Sequence, residues 1–140
     1  MKIIFASSKS YKTPQNIKEN IMKESLFVYG TLMPNCPNAF VLENIVGKFV
    51  RASVKGKLID AGWSASMGYP GIRLDEGKDT IHGFLFYSHN LINHWENLDK
   101  FEGEEFERKE VVVERYDEIE VKTYIYTLKD EIVLIYDDKM

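Results

Sequence analysis

A single cysteine, Cys36, in 140 residues has no partner for an intrachain disulfide, and no cysteine spacing of the zinc-binding kind occurs. The chain carries no mark of an oxidising compartment, so a cytoplasmic location is expected. The three histidines, His82, His89 and His94, lack metal-ligand spacing too. Positive charge is not in excess: 18 Lys and Arg against 22 Asp and Glu give a net charge of -4, with the basic residues scattered. Such a surface has no broad attraction for phosphate backbones, which makes nucleic acid a poor partner. Long hydrophobic runs are missing. The apolar start Ile3-Ile4-Phe5 is too short for a signal-peptide core or a membrane span, so no membrane partner is expected. Neither a Walker glycine motif nor a dinucleotide-binding one is present, and there is no internal repeat or low-complexity tract.

What remains is an ordinary globular composition: 44% hydrophobic, 29% charged and 13% aromatic, enough for one domain with a sizeable core. Ser7 to Lys23 are polar and rich in Lys, Ser and Asn, while a compact apolar run begins at Leu26. The domain is therefore expected to span residues 25–140. Residues 1–24 are then a leader or extension, with Met22 as an alternative start.

Leu26-Phe27-Val28-Tyr29 reads as an apolar strand running into the turn Gly30-Thr31-Leu32. Pro34, Pro37 and two asparagines mark a loop, with Asn38 as N-cap of a short helix to Ile45. Gly47 to Asp60 is one bent strand or two, with Phe49, Ala52, Val54 and Leu58 inward and bulges at Gly47 and Gly56. Gly62, Gly68, Pro70 and Gly71 make residues 61–71 a loop containing Trp63 and Tyr69. Thr80 to Tyr87 is a strand by its β-branched and aromatic content. From His89 to Glu102 the period becomes helical: Leu91, Trp95, Leu98 and Glu102 share a face flanked by Ile92, with Ser88 or Asn90 as cap and Gly103 as the left-handed stop. Strands at 106–115, 119–128 and 131–136 follow. Many strands with one good helix argue a small, largely antiparallel, barrel-like α+β fold.

Two features carry chemistry. Backbone amides freed where the strand ends at Gly30 can hold an anionic group; an ordinary turn with Tyr29 in the core is the alternative. Glu102 continues the apolar face, so its carboxylate is directed inward. Desolvation, the negative end of the helix dipole and the nearby Asp99 would all raise its pKa, giving a proton acceptor near neutrality. The alternative is an exposed helix-end residue paired with Lys100 or Arg108. Cys36 has no base partner that would make it a catalytic thiol.

Taken together, Phe27-Val28-Tyr29-Gly30-Thr31-Leu32, Tyr69-Pro70, Gly83-Phe84-Leu85-Phe86, Leu98-Asp99-Lys100-Phe101-Glu102-Gly103 with Arg108, and Tyr124-Ile125-Tyr126 resemble the gamma-glutamylcyclotransferase-like family. That family includes the AIG2-like proteins and gamma-glutamylamine cyclotransferases, and the resemblance covers roughly Leu26 to Tyr126. It implies a small, mostly antiparallel β-barrel with flanking helices. It also implies a site in which Tyr29, Gly30, Thr31 and Leu32 hold the α-carboxylate of a gamma-glutamyl group, with Tyr124 as a further binding residue. Glu102 matches the family's catalytic glutamate. The implied reaction releases 5-oxoproline and an amine or amino acid, with no cofactor or metal. One departure is Phe106, where the family often has tyrosine, which leaves substrate choice open. Glu104 and Glu105 favour a neutral or cationic leaving amine over an anionic dipeptide. A non-catalytic binding or regulatory protein of AIG2-like type is the competing reading.

Overall fold

A computed structural model describes residues 25–74 and 77–132. The expected extension, residues 1–24, lies outside the described residues. Ser25–Val28 (β1) is buried along its whole length. It pairs antiparallel with Asp79–Tyr87 (β4), from Ser25 opposite Tyr87 to Val28 opposite Phe84, and parallel with Glu120–Leu128 (β6). A strand hydrogen-bonded on both edges and covered on both faces carries apolar side chains, as Leu-Phe-Val does, or polar ones that are paired, as the Ser25 hydroxyl is with that of Thr123 at 2.7 Å.

Lys48–Ile59 (β2) is one continuous strand. It pairs with β4 without interruption from Lys48 opposite Tyr87 to Gly56 opposite Asp79, and it reaches Phe106–Arg115 (β5) at Ala52 and Ser53. That last contact closes a five-stranded barrel in the order β2, β4, β1, β6, β5, while Gly71–Arg73 (β3) pairs with the far end of β2. The architecture is the α+β barrel with flanking helices expected from the sequence, and among the described residues only the β1–β6 pairing is parallel.

Alternation along each strand divides the core in two. Phe27, Ala52, Val54, Ile81, Leu85, Val113, Val121 and Ile125 fill the interior. Leu26, Val28, Phe86, Tyr126 and Leu128 face outward and are covered by Leu42, Leu91, Trp95 and Leu98. Each such large side chain contributes about 1.5–3 kcal/mol by leaving water.

Several local expectations are corrected. Phe49 lies on the outer face, against Phe84 and Phe86. Leu58 is 42% exposed, because β2 beyond Gly56 has left β4 and pairs only with β3. Gly47 and Gly56 are not bulges: Gly47 precedes β2, Gly56 is the last residue paired with β4, and the ladder between them is unbroken. They are places of close approach, where a Cβ would come within 2.3 Å of the Tyr87 carbonyl oxygen or 2.9 Å of that of Arg73. The short helix is Phe40–Glu43 (α1), entered through Ala39 with no side-chain cap, so Asn38 does not cap it.

The expected single helix from His89 is a 3₁₀ turn, Leu91–Asn93, followed after His94 by Trp95–Glu102 (α2). Ser88 Oγ accepts the Asn90 N–H at 3.0 Å and donates to the Val46 carbonyl, which ties the turn to the barrel and sets its tight pitch. Leu91, Trp95 and Leu98 keep a common buried face, whereas Ile92 is 60% exposed. Residues 130–132 are helical rather than the start of a strand. Arg73 donates to the Leu128 carbonyl at 3.1 Å and to Asp130, holding the chain where β6 ends. The rest of that expected strand lies outside the described residues. No described helix is long and apolar enough to cross a membrane.

Gly83 sets how closely β4 approaches β1, since a Cβ there would stand 2.2 Å from the Val28 carbonyl oxygen and 2.8 Å from the Phe27 ring. Gly83→Ala is expected to cost at least about 3 kcal/mol in urea denaturation, because overpacking against backbone cannot be relieved by a rotamer change. A loss below about 1 kcal/mol would contradict this packing.

Candidate active site

β1 ends at Val28, and Met33 N–H closes a turn on the Gly30 carbonyl at 3.1 Å. The amides of Gly30, Thr31 and Leu32 have no acceptor among the described residues, and they border a cleft of about 400 Å³, its open mouth included. Gly30 needs no special backbone geometry. A Cβ placed on it would meet no atom within 4 Å, so what its hydrogen preserves is open space in front of the turn.

α2 brings Glu102 to the same cleft as its last residue. Gly103 then turns the chain with φ 86° and ψ −174°, a region open essentially to glycine alone. Trp63, from the 61–71 loop, fastens this end: its Nε1–H donates to the Glu102 carbonyl at 2.8 Å and its ring meets Phe101 edge-on. As a whole residue Glu102 is only partly buried, yet its carboxyl is deep enough that lost hydration raises its pKa from 4.5 to about 7.

Burial is the whole cause. Asp99 adds no like charge, because its carboxylate is taken by Arg108, with Nε at 3.0 Å and Nη2 at 3.3 Å, and by the Tyr126 hydroxyl at 2.6 Å. Nor is Glu102 a solvent-facing ion pair: Arg108 belongs to Asp99, and Lys100 lies 3.7 Å from Glu96.

Of the residues expected at a site, the structure brings Tyr29, Gly30, Thr31, Leu32 and Glu102 around one cleft. The Tyr29 hydroxyl is fully engaged, accepting from Ile72 N–H at 3.1 Å and donating to the Tyr126 carbonyl at 2.8 Å, and burial holds its proton. Its ring thus forms wall. Tyr124 is not at the cleft; it meets Trp95 edge-on and lies under Arg108. Tyr126 is there instead, two residues on, where β6 has run alongside β1 to its end. Tyr124 and Tyr126 point to the same side of their strand, and the sequence holds no register information that would have chosen the second.

Trp63 and Pro70 line the cleft, as does Phe106, whose ring packs on Gly62. Tyr69 does not, and its hydroxyl meets the Cys36 thiol. Among the described residues no three His, Cys, Asp or Glu side chains cluster as metal ligands would. A wider depression of about 1930 Å³, its open mouth likewise included, between the start of β2 and the β5–β6 hairpin contains none of the expected site residues.

Residues 26–138 match the family described as gamma-glutamyl cyclotransferase, AIG2-like. No curated protein matches the chain. Among solved structures it is similar to YkqA from Bacillus subtilis, at 28% identity and a TM-score of 0.58 over 77% of this chain, which spans 36% of YkqA. An AIG2-like protein from Mus musculus is similar at 22% identity and a TM-score of 0.59, covering 79% of this chain and 82% of the mouse protein. A gamma-glutamyl cyclotransferase aligns at 16% identity and a TM-score of 0.53, covering 76% and 66%; these last two likenesses are ones of fold.

The raised pKa of Glu102 ties stability to pH. The folded state keeps this proton up to about pH 7, whereas the unfolded chain releases it near 4.5, so stability falls as pH rises through that window. Glu102→Gln is expected to gain on the parent protein between pH 4.5 and pH 8, by up to about 3 kcal/mol in urea denaturation. A difference that stays constant with pH would contradict the burial of this carboxyl.

Proposed function

The chain belongs to the gamma-glutamyl cyclotransferase, AIG2-like family, and from that premise we propose that it is an enzyme converting a gamma-glutamyl compound into 5-oxoproline and a free amine or amino acid. The observation that carries this reading is one cleft holding both a buried carboxyl with pKa about 7 and a strand-end turn with unengaged amides. The amides of Gly30, Thr31 and Leu32 hold the substrate α-carboxylate. Glu102 takes a proton from the α-ammonium, and the freed amine attacks the γ-carbonyl carbon. A five-membered ring closes as the new C–N bond forms; the original γ-amide C–N bond then breaks. Glu102 returns its proton to the departing nitrogen, which is otherwise a very poor leaving group. The second proton on the ring nitrogen passes to the carboxylate so regenerated and from there to the free amine or water.

The pKa decides whether this is feasible. Moving a proton from an ammonium of pKa about 8 to an ordinary Glu costs about 5 kcal/mol, and to a carboxyl near 7 only about 1.4 kcal/mol. Ring closure needs reactive atoms held in one conformer, which the anchored carboxylate and the walls of Tyr29, Trp63 and Phe106 provide. Glu104 and Glu105, just after Gly103, favour a neutral or cationic leaving amine.

The test is a screen of gamma-glutamyl amines and dipeptides for 5-oxoproline release. At least one substrate should turn over, with Glu102→Gln slower by about 10²-fold or more. Gly30→Ala should fold normally and lose about tenfold or more in kcat/KM, because its methyl group occupies the space in front of the turn. If the parent protein and Glu102→Gln give the same background with every substrate, the protein is a binding protein rather than an enzyme.

A further inference from the structure

The Asp99–Tyr126 contact plays no part in the proton transfers above, and it has a direction. An ionised carboxylate only accepts hydrogen bonds, so the 2.6 Å bond is donated by Tyr126 Oη. Asp99 is itself held in place. Arg108 grips both its oxygens and lies over the Trp95 ring, 4.3 Å from the centroid, with the Tyr124 ring at 5.2 Å. The proton of Tyr126 is therefore committed to Asp99, and only oxygen lone pairs remain for anything else. Tyr126 and Glu102 line the same cleft. Tyr29, the neighbouring phenol, has already spent both its proton and a lone pair on backbone.

We propose that Asp99 is a positioning residue: by taking the Tyr126 proton it fixes that hydroxyl as an obligate acceptor beside Glu102, so the site selects ligands carrying an α-ammonium. This rests on the gamma-glutamyl reading and adds to it the origin of the preference for an amine. A neutral phenol free to rotate would offer a donor as readily as an acceptor. It would then discriminate little between an amino acid and its des-amino analogue. With the proton held by Asp99, the oxygen accepts one N–H of the ammonium while Glu102 accepts another, a contact made equally in the bound substrate and in the transition state.

The experiment uses two probes that differ only in the α-ammonium, L-glutamine and glutaramate. Each is titrated into the full chain by NMR chemical shift, with 5-oxoproline followed in the same samples. The parent protein is expected to bind L-glutamine about tenfold or more tighter than glutaramate. Tyr126→Phe and Asp99→Leu should each reduce that ratio below about threefold and leave glutaramate affinity unchanged, and the double variant should lose no more than either alone. With the best gamma-glutamyl substrate of the screen, the same variants should raise KM while kcat stays within about threefold. A ratio near one in the parent protein, a ratio unchanged in either variant, or an equal loss for both probes would overturn the proposal. Should Asp99→Leu fail to fold, the parent ratio and Tyr126→Phe still decide. Binding of neither probe to the parent would overturn the gamma-glutamyl reading along with it. Selective binding of L-glutamine with no 5-oxoproline from any gamma-glutamyl compound of the screen would leave this inference standing and sink the catalytic one.

Discussion

β1 is hydrogen-bonded to β4 on one edge and β6 on the other, with the interior core on one face and the helical layer on the opposite one. Only Gly83 lets β4 come close enough for this arrangement, and the site takes its place from it. Once Val28 has paired with Phe84 the chain has to turn, and the amides of the turn emerge at a barrel end already walled by Tyr29 and Phe106. The place of the turn in the cleft is thus a consequence of how the central strand terminates.

The other half of the site comes from the outer layer. Leu91, Trp95 and Leu98 seat the helical segment on the barrel, and the same phase carries Glu102 inward at the last turn. Trp63 and Gly103 fix that end from opposite sides, one through a hydrogen bond to the Glu102 carbonyl and the other through a backbone conformation other residues avoid. The carboxyl is buried by its position on a packed face, which accounts for a pKa near 7 without help from a neighbouring anion.

Much of this was legible in the sequence because it rests on local periodicity. The apolar run of β1, the helical spacing that ends at Glu102, and the glycine after it are all short-range signals. Where the structure departs from these local signals, the deciding information is long-range. Leu58 has the inward parity of Ala52 and Val54, but only the register with β4 shows that β2 outlives the barrel there. Asp99 is close to Glu102 along the helix, yet Arg108 and Tyr126 come from β5 and β6 to neutralise it. The choice between Tyr124 and Tyr126 depends on where a parallel neighbour ends, which neither residue type nor alternation encodes.

The proposed chemistry depends on one carboxyl group whose proton affinity is matched to an amine, so the most direct measurement is its titration in the native protein. Carbon-13 NMR of glutamate side-chain carboxyls, with Glu102 assigned by its loss in Glu102→Gln, should show this group titrating near pH 7. A Glu102 carboxyl titrating near its ordinary value of 4.5 would contradict the proton transfer at the centre of the account.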